Sequence, residues 1–315
     1  MATLGGSDGS VNNVREGLVS LSTVERDRLV RMEDAVLAAA RYLLVAMTRP
    51  DQVEVRRKPD KSLVMNLDIE SQRIITLSLA GTLPVVGEED SANHELLGKR
   101  EDYFLVDPID GTSSCKRFLS QEGQQGGQLG FGPLIGWVER GHLIGATFYH
   151  VPQRTLFSAM RGAGVSLVKL DPLAAVRPAA FEERTFLKAA APSTLSESIV
   201  LFYPGPKGEL RFLEYLKVRG LIENAYRFGG FANDCTRLAQ GLEQIQVEFQ
   251  PKAWDFSAAL FNLEAGLEIV VDPAGEASPV QDWVVQYEAP ILSAGPAVMP
   301  ELLRLFQLWG AACLP

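Results

Sequence analysis

The chain has 315 residues, a length that can bury a large core and that predicts two lobes. Its formal net charge is −9 and its 30 basic residues are spread along the sequence, so no concentrated basic surface indicates a nucleic-acid polymer as partner. The 3 cysteines lack Cys-x-x-Cys spacing and no segment approaches about eighteen apolar residues, so we expect a cytoplasmic protein without a disulfide framework or membrane span.

The first half of the chain is predicted to contain a polar tail, two helices and a group of strands. Residues 1–20 are predicted to form a flexible tail, and Ser22 with Glu25 makes a capping box that opens the first helix. A second helix is predicted from Ile69 to Leu79, with Asp68 at its start. Apolar stretches that predict antiparallel strands follow at 133–138, 142–149, 156–160 and 164–169.

The second half of the chain alternates predicted strands and helices. Residues 171–192 are rich in Pro and Ala, and we expect them to pass between an N-terminal α+β lobe (21–185) and a C-terminal α/β lobe (186–315). The alternating segments of the later lobe are predicted at 199–203, 209–217, 232–240, 244–249 and 256–265. Alternation of this kind predicts an α/β layer.

The most informative segment is Asp-Pro-Ile-Asp-Gly-Thr at 107–112, which follows the apolar stretch 104–106. By itself this segment is also a good turn. Asp107 and Asp110 can converge on one cation because the intervening proline stiffens the turn. Ile109 can add its main-chain carbonyl, which completes a set of the hard oxygen ligands that Mg²⁺ prefers.

A phosphate cradle is predicted directly after these acidic residues. Gly111 lets the backbone approach an anion closely, and Thr112 and Ser113 lie where a helix can begin, so their N–H groups can meet phosphate oxygens. Glu88 and Glu89 follow another apolar, strand-like segment. Acidic residues at the ends of two buried strands need a cation nearby, because an unpaired buried charge is costly.

Four ordered motifs are shared with a known family. They are the Lys-Pro-Asp-Lys-Ser element that leads from 58 to Asp68, Gly-Glu-Glu at 87–89, the 107–112 segment, and Trp-Asp at 254–255 followed by small residues. In these motifs the chain resembles the Mg²⁺-dependent, lithium-sensitive phosphatases typified by inositol monophosphatase, which include the 3′(2′),5′-bisphosphate nucleotidases. The resemblance implies an α/β (α+β) fold, layered as the αβαβα sandwich of the inositol monophosphatase and fructose-1,6-bisphosphatase type. It also implies a homodimer.

The resemblance also implies roles for individual residues. Asp68 would hydrogen-bond Thr112, whose hydroxyl orients or deprotonates the attacking water, and Glu88 would belong to the same catalytic set. Glu89 would either support the metal ligands or only cap a helix. Two or three Mg²⁺ ions would be held by Glu88, Asp107, the Ile109 carbonyl, Asp110 and Asp255. The substrate phosphate would meet Asp110, Gly111, Thr112 and Ser113.

Three hypotheses about the substrate remain open. Glu248 lies seven residues before Asp255, the spacing at which inositol monophosphatases place a glutamate that contacts hydroxyls. A sugar or polyol phosphate such as inositol monophosphate is therefore the leading prediction. A nucleotidase acting on adenosine 3′,5′-bisphosphate is the alternative, with Phe231 as a stacking surface and Lys116 and Arg117 meeting a second phosphate. The third is a non-catalytic relative that only binds phosphate.

Overall fold

The computed structural model describes residues 21–59, 62–120, 129–174, 183–203, 210–249, 251–272, 278–279 and 289–313. The predicted tail, residues 1–20, lies outside the described residues. None of the helices in the described part of the chain is long and apolar enough to span a bilayer.

In the described part of the chain, two helices precede the first large sheet. Helix α1 (Thr23–Ala46) begins at the predicted capping box, in which the Glu25 N–H donates to Ser22 Oγ at 3.3 Å. A short hairpin of β1 (Val55–Arg57) and β2 (Leu63–Met65) leads into α2 (Asn66–Ser78). Helix α2 begins before the predicted Ile69 because the Asp68 carboxylate accepts the Met65 N–H at 2.7 Å and so caps its first turn.

The first sheet has seven strands in sequence order. Strands β3 and β4 are parallel and every later pair is antiparallel, which confirms the antiparallel strands predicted from the apolar stretches. The strands are β3 (Val85–Gly87), β4 (Tyr103–Asp110), β5 (Gly132–Glu139), β6 (His142–His150), β7 (Thr155–Met160), β8 (Gly164–Lys169) and β9 (Thr185–Phe186). Helix α3 (Thr112–Leu119) leaves β4 directly after its acidic end.

The second sheet has six strands in the order β11-β10-β12-β15-β13-β14. Its strands are β10 (Ile199–Tyr203), β11 (Asn224–Tyr226), β12 (Ile245–Glu248), β13 (Glu268–Val271), β14 (Ser278–Pro279) and β15 (Ile291–Ala294). Strand β10 is parallel to both β11 and β12, so the carboxyl ends of these three strands share one edge.

The described residues of this half of the molecule include four helices: α4 (Leu210–Val218), α5 (Phe231–Ala239), α6 (Ala259–Glu264) and α7 (Met299–Cys313). The single helix predicted at 256–265 is instead a 3-10 turn, Asp255–Ala258, followed by α6. 3-10 turns of this kind are frequent at the N-termini of α-helices. Asp255 is the first residue of the turn.

The elements stack in five layers. One core lies between α1, α2 and the first sheet, and its largest side chains include Phe104 and Trp137. The opposite face of that sheet packs on α5 and α6, which also cover the second sheet. A third core fills the space between the second sheet and α4 and α7, with Phe212 and Phe306. This arrangement confirms the αβαβα sandwich, and it places the ends of β4, α5 and α6 together.

Candidate active site

The acidic end of β4 is shaped by a break in strand pairing. The register between β4 and β5 shifts between Asp107 and Asp110. Within this bulge the Ile109 N–H donates to Asp107 Oδ1 at 2.9 Å, so the segment is a turn as well as a site. Bulges at strand ends redirect side chains, and here Asp107 and Asp110 both point toward the middle helices.

Three carboxylates from two distant parts of the chain meet at this point. Ligand oxygens of Asp107, Asp110 and Asp255 lie within 4.8 Å of one another. Asp255 belongs to the 3-10 turn before α6, where its Oδ2 accepts the Lys252 N–H at 2.8 Å. The two β4 aspartates come from the first sheet and Asp255 from the second half of the chain, so the fold itself assembles the cluster.

Asp110 also joins the two halves through helix α5. Its Oδ1 accepts the Phe231 N–H at 2.9 Å and its Oδ2 accepts the Ala232 N–H at 3.1 Å. These N–H groups have no intrahelical partner at a helix start, and the positive end of the helix stabilises a carboxylate.

Burial makes these carboxylates hard to ionise in the absence of a cation. It raises the pKa of Asp107 well above its usual range, and the nearby Glu88 raises it further. Burial also raises the pKa of Asp110 to about 7, against the opposing effect of the α5 amides. For Asp255, burial and then repulsion from Asp110 raise the pKa to about 8. A bound divalent cation would remove this repulsion.

Glu88 and Glu89 are held together by a lysine. Lys58 Nζ donates to Glu88 Oε1 and to Glu89 Oε1, both at 2.7 Å. The charge of Glu88 raises the pKa of Asp107, so Glu88 lies near the aspartate cluster. Its own carboxylate is paired with Lys58. The Glu89 N–H donates to Gln72 Oε1 at 2.8 Å, which fixes this turn against α2.

Thr112 and Asp68 are hydrogen-bonded at the edge of the cluster. Thr112 Oγ1 lies 3.1 Å from Asp68 Oδ1 and 3.2 Å from the Ile109 carbonyl oxygen. Met65 N–H occupies the other Asp68 oxygen. Burial raises the pKa of Asp68 to about 8, and the charges of Glu89 and Glu88 add to that effect.

The segment that is predicted to bind phosphate lies close to a neighbouring stretch of backbone. Gly111 has φ of 82°, and a Cβ there would lie 2.8 Å from the Gly130 carbonyl oxygen. The first hydrogen bonds of α3 are donated by Ser114 and Cys115 to the Gly111 carbonyl, at 2.8 and 2.9 Å. The N–H groups of the two preceding residues, Thr112 and Ser113, are therefore placed ahead of the first turn.

The residues predicted to select the substrate lie in three different environments. Glu248 ends β12 and is buried. Burial and then the nearby charge of Asp255 raise its pKa, so Glu248 lies beside the aspartate cluster. Phe231 does not offer the predicted stacking surface, because its ring is buried in the core between the sheets. Lys116 and Arg117 are exposed on the last turn of α3, at the opposite end of that helix from the cradle.

Some contacts of the site could not be read from the motifs. His150 Nε2, at the end of β6, lies 3.2 Å from Asn233 Oδ1. Asn233 directly follows the two α5 residues that donate to Asp110. The Gln153 N–H donates to the other ring nitrogen at 3.1 Å, so the proton lies on Nε2. Burial lowers the pKa of His150 to about 4, so the ring is neutral. His150 and Asn233 are 83 positions apart in the sequence and belong to no shared motif.

The amino-acid sequence of this chain is similar to those of one protein family and of several characterised proteins. The profile of the inositol monophosphatase family matches residues 26–307. The 3′(2′),5′-bisphosphate nucleotidase CysQ of Buchnera aphidicola is 27% identical over 108 residues, which span 33% of this chain and 40% of that protein. The Nus factor SuhB of Xylella fastidiosa is 25% identical over 260 residues, 80% of this chain and 84% of that protein.

Solved structures share the same fold. An IMPase of Thermotoga maritima superposes with a TM-score of 0.70 at 16% identity, over 91% of this chain and 98% of its own. At this identity the likeness establishes the sandwich, and the substrate has to be argued from the residues of this chain.

Proposed function

Because the chain belongs to the inositol monophosphatase family, we propose that it is a Mg²⁺-dependent phosphatase that hydrolyses a small phosphomonoester. The observation that carries the proposal is the meeting of Asp107, Asp110 and Asp255 within 4.8 Å beside the Thr112 and Asp68 pair. A non-catalytic phosphate-binding relative would need neither three converging carboxylates nor a hydroxyl held by a buried acid.

The ligand set fits Mg²⁺. All its candidate ligands are oxygens, and Mg²⁺ is bound in proteins through one or two carboxylates together with substrate phosphate and water. We propose that Asp107, Asp110 and Asp255 bind two or three ions, together with Glu88 and the Ile109 carbonyl. Bound Mg²⁺ supplies a Lewis acid that polarises the phosphoryl oxygens and lowers the pKa of water.

Thr112 and Asp68 are proposed to prepare the attacking water. Because the Thr112 hydroxyl donates to Asp68 at 3.1 Å, its oxygen can take a proton from the attacking water while its own proton passes to the Asp68 carboxylate. Asp68 cannot turn away because Met65 N–H holds its second oxygen. The water oxygen then bonds to phosphorus, the ester P–O bond breaks, and the leaving alkoxide takes up a proton, which replaces the one that the attacking water lost.

The start of α3 is proposed to bind the phosphate. The N–H groups of Thr112 and Ser113 lie ahead of the first hydrogen bonds of the helix, and such groups bind anions. Gly111 allows the chain to turn into this helix, because its φ of 82° and its close approach to the Gly130 carbonyl oxygen leave no room for a side chain. We propose that Asp110, which precedes this cradle and accepts the Phe231 N–H of α5, contributes to both metal binding and substrate binding.

Glu248 is proposed to accept hydrogen bonds from substrate hydroxyls. Its burial beside Asp255 raises its pKa well above the usual range, and hydroxyl donors would favour the ionised form. A sugar or polyol phosphate such as inositol monophosphate supplies such hydroxyls, and so does the ribose of a nucleotide. By its family resemblance we further propose that the protein is a cytoplasmic homodimer.

The proposal is tested by phosphate release from inositol 1-phosphate, fructose 1,6-bisphosphate and adenosine 3′,5′-bisphosphate, with Mg²⁺ and with chelator. We expect hydrolysis that requires Mg²⁺, and Asp255→Asn should reduce kcat by about a hundredfold or more because a metal ligand is lost. Asp102→Asn is the matched control, since Asp102 precedes β4 at its other end. Undiminished hydrolysis in chelator or in Asp255→Asn would refute the proposal.

A further inference from the structure

Two side chains cover the outer edge of strand β3. Among the described strands, β3 is the first of its sheet and has β4 as its neighbour. On its other side, Asn93 Nδ2 donates to the Val85 carbonyl oxygen at 3.0 Å. His94 Nε2 lies 2.7 Å from the Gly87 carbonyl oxygen, and since a carbonyl only accepts, Nε2 carries the proton. Carbonyls at the edge of a sheet are thus satisfied by side chains of the following loop.

The hydrogen bond of His94 fixes the peptide group that leads into Glu88. The carbonyl of this peptide belongs to Gly87 and accepts from His94, while its N–H belongs to Glu88 and donates to the Val106 carbonyl of β4 at 3.0 Å. A peptide group is planar, so hydrogen bonds on both sides fix the orientation of its plane. The direction in which the Glu88 side chain leaves the strand therefore depends on His94.

The ring of His94 also contacts the other half of the site. Its centroid lies 5.9 Å from that of the Trp254 ring, with the two planes at 33°. Aromatic pairs at this separation attract each other beyond the area that they bury. Trp254 packs against the core between the sheets and directly precedes Asp255. One imidazole thus contacts the neighbours of two proposed metal ligands that lie far apart in the sequence.

The backbone that carries this ring is anchored. His94–Leu96 forms a 3-10 turn, and the side chains of Leu96 and Leu97 pack against the core between the sheets. Asn93 enters the turn in a left-handed conformation, with φ of 64°, which asparagine adopts more readily than most residues. Packing on one side and the edge hydrogen bonds on the other therefore determine where the imidazole lies.

We infer that His94 is a positioning residue for the metal site, an inference that rests on the proposed Mg²⁺-dependent function. It acts through the Gly87 carbonyl and the Trp254 ring, and so holds Glu88 and Asp255 at a fixed separation. Mg²⁺ demands near-ideal octahedral geometry, so a shift of one carboxylate weakens its binding. Removal of a residue that orients a metal ligand typically lowers metal affinity by about 10–100-fold.

The test measures Mg²⁺ binding to the whole chain by isothermal titration calorimetry, beside the Mg²⁺ dependence of hydrolysis. We expect His94→Ala to weaken Mg²⁺ binding by about tenfold or more. The Mg²⁺ concentration for half-maximal hydrolysis of the best of the three esters should rise by the same factor. At saturating Mg²⁺ the occupied site is restored by mass action, so kcat should stay within about twofold of the wild-type value.

Three further variants separate the two contacts from general stability of the loop. His94→Gln keeps an N–H donor for the Gly87 carbonyl without a ring, and His94→Phe keeps the ring without a donor, so each should show part of the loss. Asn93→Gly is the matched control. It removes the neighbouring edge hydrogen bond, tolerates the positive φ, and leaves the contacts of His94 in place. It should lower stability in urea and keep wild-type Mg²⁺ affinity.

The outcomes separate the inference from the proposed function. If the wild-type chain binds Mg²⁺ but hydrolyses none of the esters, the phosphatase function fails, and calorimetry of the variants still decides the role of His94. If all His94 variants bind Mg²⁺ as tightly as the wild-type chain, the function stands and the inference is overturned. If Asn93→Gly weakens Mg²⁺ binding as much as His94→Ala, the contacts only stabilise the loop, which equally overturns it.

Discussion

Asp110 illustrates how one residue couples fold and chemistry. Its two carboxylate oxygens accept the Phe231 and Ala232 N–H groups, while it also lies within 4.8 Å of the other aspartates. An asparagine would leave one of these α5 donors without an acceptor, so Asp110→Asn would disturb helix and metal site together. Asp255 accepts one N–H, from Lys252, and its replacement is the cleaner test of metal binding.

The Thr112 and Asp68 pair gives a prediction at the same scale. Thr112→Ala and Asp68→Asn should each lower kcat by about a hundredfold, a size typical of general-base catalysis, while Mg²⁺ affinity is retained. If the two act as a unit on one water, the double variant should lose little more than either single variant.

Steady-state kinetics of the two single variants and the double variant measure this coupling. Thr112→Ser is the control, since it keeps the hydroxyl and should keep most of the activity. A double variant that loses the full product of the two single effects would show that Thr112 and Asp68 act independently.

At the scale of elements, the start of α5 is the part of the site that depends most on backbone geometry. Gly230 has φ of 88° before the helix, and a Cβ there would lie 2.6 Å from Asp110 Oδ2. Asn233 follows the two residues that donate to Asp110, and it forms a hydrogen bond with His150 of the first sheet. The glycine and this interlayer contact together aim the α5 amides at Asp110.

Gly230→Ala is therefore expected to lower both stability and activity. Strain at a positive φ costs about 1–3 kcal/mol, and the new methyl group pushes Asp110 away from the α5 amides. Gly220→Ala is the matched control, because Gly220 has φ of 64° but open space around its missing Cβ.

Urea unfolding and kcat measurements separate the two effects. Both alanine variants should lose stability, and only Gly230→Ala should lose most of its activity. Equal activity in the two variants would show that close packing at Gly230 is not needed for catalysis.

Across the whole molecule, the sequence predicted the elements better than the contacts between them. Apolar periodicity gave the strands of the first sheet, the capping box gave the start of α1, and the ordered motifs gave the αβαβα layers. Side-chain pairs between distant elements carry no such local signal. Only the structure reveals three such contacts. They are the salt bridge between Lys58 and Glu88, the hydrogen bond from the α5 backbone to Asp110, and the contact of Arg227 with the Tyr203 ring.

Phe231 shows why an expectation from a motif can fail. An aromatic residue next to a phosphate site suggests stacking, but residues at the start of an amphipathic helix have their direction set by packing. Here the ring points into the core between the sheets.

The cluster of buried carboxylates also links metal binding to global stability. The pKa values of Asp110 and Asp255 are raised to about 7 and about 8, so without metal the folded state binds more protons than the unfolded chain. Stability in chelator should then fall as pH rises from about 4 through these values. Saturating Mg²⁺ binds the ionised carboxylates and should remove that part of the pH dependence.

The most direct test of the metal site is therefore the thermal unfolding midpoint of the whole chain at pH 6 and pH 8, each with Mg²⁺ and with chelator. We expect the increase in Tm caused by Mg²⁺ to be larger at pH 8 than at pH 6, and to be reduced at both values in Asp255→Asn. An increase that is equal at the two pH values and unchanged in Asp255→Asn would contradict a Mg²⁺ site built from the carboxylates of Asp107, Asp110 and Asp255.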